Sequence, residues 1–130
     1  MKTLTGLVNI LVRVCGAGAL ALGIASWLGY WSLTRIHMAF GIGLVLSLWA
    51  MAAIAWWNAS QRGLAAFAIA WGFLTWLVGV TQIHLLPGSS HWVVEFGHLA
   101  IGVISIALAS SLARGVARAR VATTYDGIGS

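Results

Sequence analysis

Four apolar runs, at about 8–31, 36–57, 64–86 and 92–113, each come close to the roughly 20 residues a helix needs to cross a bilayer. Inside hydrocarbon no water is present to pair with the backbone, so uninterrupted runs of this length are helices. The connections between them, 32–35, 58–63 and 87–91, are short. Short connections force consecutive spanning helices to run antiparallel, and the expected architecture is an all-α, integral membrane, up-down four-helix bundle. No linker or compositional break divides the chain, so residues 1–130 read as a single transmembrane domain, with 114–130 as its tail. Pro87-Gly88 is expected to end the third helix, and Ser89 or Ser90 to cap the fourth.

Charge is scarce. Only 7% of the residues are charged against 61% hydrophobic, with a mean hydropathy of +0.97, which excludes a water-soluble globular domain. The net charge of +5 comes from a few basic residues at segment ends, so it reads as a topology signal and not as a nucleic-acid footprint. Lys2, Arg13, Arg62, Arg114, Arg118 and Arg120 fall on one side of the four spans and only Arg35 on the other. The positive-inside rule then puts both termini in the cytoplasm of a bacterial-type inner (plasma) membrane. Trp27, Tyr30, Trp31, Trp76 and Trp92 mark an outer aromatic belt, and Trp56 and Trp57 an inner one. The stretch A-R-G-V-A-R-A-R after the fourth span is expected to be a short surface helix on anionic headgroups, and T-T-Y-D-G-I-G-S after it to be disordered. The lone Cys15 excludes an intrachain disulfide framework and suits small-residue helix packing. Arg13 and Val14 just before it rule out a lipoprotein signal. Lys2 followed by an apolar stretch and small residues imitates a signal peptide, but the repeat described next needs that segment as a helix.

The chain contains itself twice over. W-x5-H-x-A-x-G occurs as Trp31, His37, Ala39 and Gly41, and again as Trp92, His98, Ala100 and Gly102. Each copy is preceded by G-x-x-[ST]-W-L, at Gly23–Leu28 and Gly72–Leu77. Both hairpins begin on the same side, so the expectation is a parallel duplication, with two hairpins related by a pseudo-twofold axis along the membrane normal. T-R-I-H at Thr34–His37 also resembles T-Q-I-H at Thr81–His84, which leaves His84 as a second candidate mate of His37.

The fourth run carries ionisable groups where hydrocarbon makes them costly, and such groups are functional candidates. His91, Glu95, His98 and Gly102 fall at i, i+4, i+7 and i+11 on one helical face. A twofold bundle brings His37 and His98 to comparable depth about a common axis. Two imidazoles converging from opposite sides suit the axial positions of a haem iron. Gly41 and Gly102, each four residues beyond its histidine, leave space for a flat macrocycle, and Arg35 near the outer mouth can pair with haem propionates. Alternatively, Gly41, Gly43, Gly97 and Gly102 merely let helices pack closely. Two further readings are open: zinc or copper held by His91, Glu95 and His98 with His84 or His37 added, and a proton or ion relay. His84 and His91 otherwise suit the interface as ordinary polar tips. Glu95, near a helix start, is favoured by the dipole and can support a ligating imidazole.

At these residues the chain resembles transmembrane b-type cytochromes, and in particular one four-helix half of haem A synthase. In that family a spanning helix carries a glutamate shortly before a haem-ligating histidine, and a second histidine comes from another helix. Here the pattern is Glu95-x-x-His98, one residue shorter than the usual spacing, and no arginine follows the histidine. The resemblance therefore implies haem b bound by His37 and His98, not haem modification. The L-P-G-x-x-H-W loop, Leu86–Trp92, is also similar to that of small bacterial four-helix membrane proteins. The expected role is electron transfer between a membrane quinol and an acceptor on the outer side. A non-enzymatic accessory or assembly subunit, packing on a larger membrane complex or as a homo-oligomer, is the competing class.

Overall fold

The computed structural model describes residues 2–86 and 88–126; Pro87, residues 127–130 and the side chains of Lys2, Trp31, Arg120 and residues 122–126 lie outside it. The protein is an all-α four-helix bundle: α1 (Lys2–Trp27), α2 (Thr34–Trp56), α3 (Arg62–Thr81) and α4 (His91–Asp126). Each helix, α3 together with its flanking turns, is long and apolar enough to cross a membrane, which makes this a multi-pass membrane protein. Its outward surface agrees: Leu28, Trp57 and Ile83 are among many large apolar side chains facing out, an arrangement that lipid stabilises and water does not. Trp27, Tyr30, Trp76 and Trp92 are exposed at one end of the bundle and Trp56 and Trp57 at the other.

The helix ends differ from the limits of the apolar runs, each for a local reason. α1 begins six residues early, because Thr5 and Val8 pack into the bundle. It stops at Trp27, where Gly29 takes φ 101° and the chain turns in a Schellman motif. There the Gly29 N–H donates to the Ser26 carbonyl and the Tyr30 N–H to that of Ala25. α3 leaves α geometry at Thr81, tightens into a 3-10 turn over Gln82–His84, and gives way to extended Leu85. Leu86, denied the right-handed α region by the proline after it, stands at φ 44°.

α4 corrects the expectation of a separate surface helix, and that of a disordered tail as far as Asp126; the rest of that tail, 127–130, lies outside the described residues. It runs unbroken for 36 residues, roughly 54 Å, through Asp126. Val116, inside the supposed tail, is only 6% exposed and belongs to the core. Gly115 does not interrupt the helix: an added Cβ there would strike the Gln61 side chain, so close packing holds the segment. The loop carrying Gln61 is itself shaped by Asn58, whose Oδ1 accepts from the Ser60 N–H at 3.3 Å and from the Ser60 hydroxyl at 3.0 Å.

α2 and α4 each pack on all three other helices and touch one another across the middle, whereas α1 and α3 do not meet. The bundle is solid at one end only. Its buried apolar cluster takes Val8 and Val12 from α1, Leu44 to Ala55 from α2, Ala65 and Ala68 from α3, and Ala109 to Val116 from α4. All of these lie toward the end that carries the termini. The helices interlock there through small residues: an added Cβ on Gly43 would stand 2.8 Å from Cys15 Sγ, and one on Gly72 would strike the Trp49 indole. That indole donates to the Ile69 carbonyl at 3.1 Å across the α2–α3 seam.

Candidate functional site

The other end of the bundle holds a cavity of about 260 Å³ to which all four helices contribute. Its floor is polar. Thr75 Oγ1 and Ser105 Oγ lie 3.0 Å apart, so that one hydroxyl donates to the other while the second donates to the carbonyl four residues back on its own helix, Trp71 or Ile101. With Trp71 Nε1 donating to the Ile101 carbonyl at 3.3 Å, these bonds tie α3 to α4 just where the solid core ends. Trp27 and Ile83, which also line the cavity, are exposed on the bundle surface.

His37 and His98 both line this cavity, on the two helices that touch across the bundle. Their ring centres are 6.0 Å apart and the rings stand edge to face at 71°. His37 Nδ1 lies 2.9 Å from the Ala19 carbonyl of α1. A carbonyl can only accept, so Nδ1 carries the hydrogen and the neutral ring presents a lone pair at Nε2. Gly23, one turn beyond Ala19, makes that reach possible: an added Cβ there would press on His37 Cε1 at 3.2 Å. His98 has no such partner, and its Nδ1 is buried without a hydrogen bond among the described residues. Ser26 Oγ, from a second residue lining the cavity, is unbonded in the same way.

Gly41 and Gly102 do not pack against a neighbouring helix. Both line the cavity, and a Cβ added at either would have nothing within 4 Å. Gly97 also has no neighbour within that distance, so of the four glycines offered to helix packing only Gly43 packs.

The face expected on the fourth helix is present, since His91, Glu95, His98 and Gly102 all line the cavity. No hydrogen bond joins Glu95 to His98. His91 Nδ1 donates instead to the Leu85 carbonyl at 3.1 Å, which turns that ring toward the connecting loop. His84 is exposed in its 3-10 turn and Arg35 is exposed at the head of α2; neither lines the cavity, although Thr34 beside Arg35 does. Among the described residues no three His, Cys, Asp or Glu side chains gather closely enough to hold a metal ion by themselves.

The repeat is not carried into the contacts in full. Gly72, the sequence counterpart of Gly23, meets Trp49, and it is Gly79, seven residues on, whose added Cβ would stand 3.5 Å from His98 Cε1. The roles of Gly79, of Ser26 and of the Ala19 carbonyl are absent from the sequence reading. A second glycine two turns beyond Gly72 was the only available hint. Compared with protein-family models, curated proteins and solved structures, the chain shows no match.

Proposed function

We propose that this protein is a membrane b-type haem protein that holds one haem between His37 and His98. It would pass electrons between a membrane quinol and an acceptor on the outer side of a bacterial inner membrane. The distance between the two imidazoles is the observation that carries this reading. A ligating nitrogen stands about 2 Å from its metal and the ring centre roughly 1 Å further, so rings on opposite sides of one ion are about 6 Å apart. In the structure the separation is 6.0 Å. Ligating imidazoles generally donate their other N–H to a backbone carbonyl or carboxylate, which fixes ring orientation, and His37 does so to Ala19. The bare flanks of Gly41 and Gly102 favour a flat ligand lying against both helices.

Bound there, the haem supplies a one-electron couple. The chain's own part is to hold both imidazoles in place, to exclude water beneath them with the Thr75–Ser105 floor and the packed core, and to set the local charge through Glu95. Arg35, exposed beside the lining residue Thr34, suits a propionate projecting from the mouth. An absorption spectrum of protein purified after haem-supplemented expression tests the proposal. A reducible low-spin band supports it, and a colourless preparation passes the function to the accessory-subunit reading.

Glu95 is expected to tune the cofactor rather than bind it. An anion lining the cavity favours the more positive, oxidised iron. Glu95→Gln should therefore retain haem and raise the midpoint potential, by something on the order of 50 mV for a charge several ångströms away. Loss of all cofactor in that variant would argue that Glu95 helps to hold a non-haem metal.

The reading also requires the cavity end to face outward, with both termini cytoplasmic, as the basic residues suggest. In a Cys15→Ala background, Ser89→Cys should react with an impermeant thiol reagent in intact cells and Ser60→Cys should not. Both positions are exposed. Labelling at position 60 alone would invert the orientation and put the haem on the cytoplasmic side.

A further inference from the structure

The loop end of the cavity presents hydrogen-bond acceptors and no matching donor. His91 and Glu95 lie one turn apart on the same face of α4, about 6 Å along its axis, and both line the cavity. His91 Nδ1 gives its hydrogen to the Leu85 carbonyl at 3.1 Å, so all the neutral ring has left to offer is the lone pair of Nε2. The oxygens of the Glu95 carboxylate can only accept, and among the described residues that side chain makes no hydrogen bond or ion pair. No lysine or arginine among the described residues lines the cavity to neutralise it.

Two neighbouring acceptors set the chemistry of whatever sits beside them. A hydroxyl pointed at either group gains a hydrogen bond, and the one to Glu95 is charge-assisted. A carbonyl or ether oxygen in the same place meets lone pairs with a lone pair, and it displaces their water without replacing its bonds. Ser26, Thr34 and Gln82 also line the cavity, but hydroxyls and amides both donate and accept and so favour neither kind of oxygen. Around these groups the surface is apolar: Ile24, Trp27 and Ile83 line the cavity and are also exposed on the bundle surface. Together these features fit an apolar ring that carries hydroxyls. A quinol has two, and the quinone it becomes on oxidation has none.

We propose that His91 and Glu95 form a quinol-binding subsite beside the haem position, one that holds the reduced carrier more tightly than the oxidised one. Release follows from the same preference, because the oxidised ring no longer has a hydrogen to give to either residue. The inference rests on the quinol part of the proposed function and not on the haem itself.

The test uses the full chain purified in detergent, with its haem kept reduced by excess dithionite so that no electron passes. The probes are tetramethylhydroquinone and its dimethyl ether, which share the ring and differ in the two hydroxyl donors. Equilibrium dialysis, corrected with protein-free micelles, should show the diol binding about tenfold more tightly than the ether, as expected for one charge-assisted hydrogen bond gained. His91→Leu and Glu95→Leu should each cut that preference severalfold by weakening the diol and not the ether, and Glu95→Gln should keep part of it. His84→Leu, on an exposed turn away from the cavity, should leave it unchanged. Unchanged helical circular dichroism shows that each variant is folded. Equal binding of diol and ether, or a preference that survives in both the His91 and the Glu95 variants, would overturn the proposal. That result beside a normal haem spectrum leaves the haem reading standing. A colourless protein that keeps the preference, dependent on His91 and Glu95, supports the subsite and sinks the haem reading alone.

Discussion

Replacing either His37 or His98 by alanine is expected to abolish the low-spin absorption spectrum of two imidazole ligands, while His84→Ala and His91→Ala should largely preserve it. The expectation rests on where the four rings stand. His37 and His98 both line the cavity, with ring centres 6.0 Å apart. His91 is committed to the Leu85 carbonyl at the mouth, and His84 points away into an exposed turn. Losing one axial ligand leaves five-coordinate iron or no haem, so the change is all-or-none in the spectrum. The fold should survive it, because both histidines lie outside the buried cluster that holds the helices together. Unchanged helical circular dichroism separates a lost ligand from a lost protein. If His84→Ala removed the band and His37→Ala spared it, the pairing of His37 with His98 would be wrong.

Substitutions at glycines should divide the same two properties in opposite directions. Gly41→Leu and Gly102→Leu project a side chain into open space, so both variants should fold as well as the parent and fail to take up haem. Ala at these positions should even favour the helix slightly. Gly72→Ala should do the reverse. Its Cβ strikes the Trp49 indole and threatens the bond from that ring to Ile69, at a cost of about 1–3 kcal/mol for overpacking, partly offset by better helix propensity. It should therefore lower resistance to SDS-induced unfolding while the remaining folded protein binds haem normally. Normal haem uptake by Gly102→Leu would show that the macrocycle does not lie against α4.

The four helices were legible because bilayer thickness imposes a length that any reader of apolar runs can count, and because the loops are short enough to force an antiparallel order. The shared face of His91, Glu95, His98 and Gly102 was legible for a similar reason: periodicity within one helix is a property of that helix alone. Helix ends were less so. Val116 carries α4 through a stretch that looks like a polar tail, and only its burial against the other helices reveals this.

What passes between helices could not be read at all. Gly41 and Gly43 are two residues apart in the same apolar run, yet one opens onto a cavity and the other fits against Cys15. Nothing in either local sequence separates them, since the difference lies on α1. The Ala19 carbonyl that orients His37 and the displacement of the supporting glycine from Gly72 to Gly79 share that origin. Each depends on the register of one helix against its neighbour. Hydropathy and periodicity determine that a segment spans and which side it turns inward, but register is settled by side chains interlocking across seams, and those exist only once the bundle has formed.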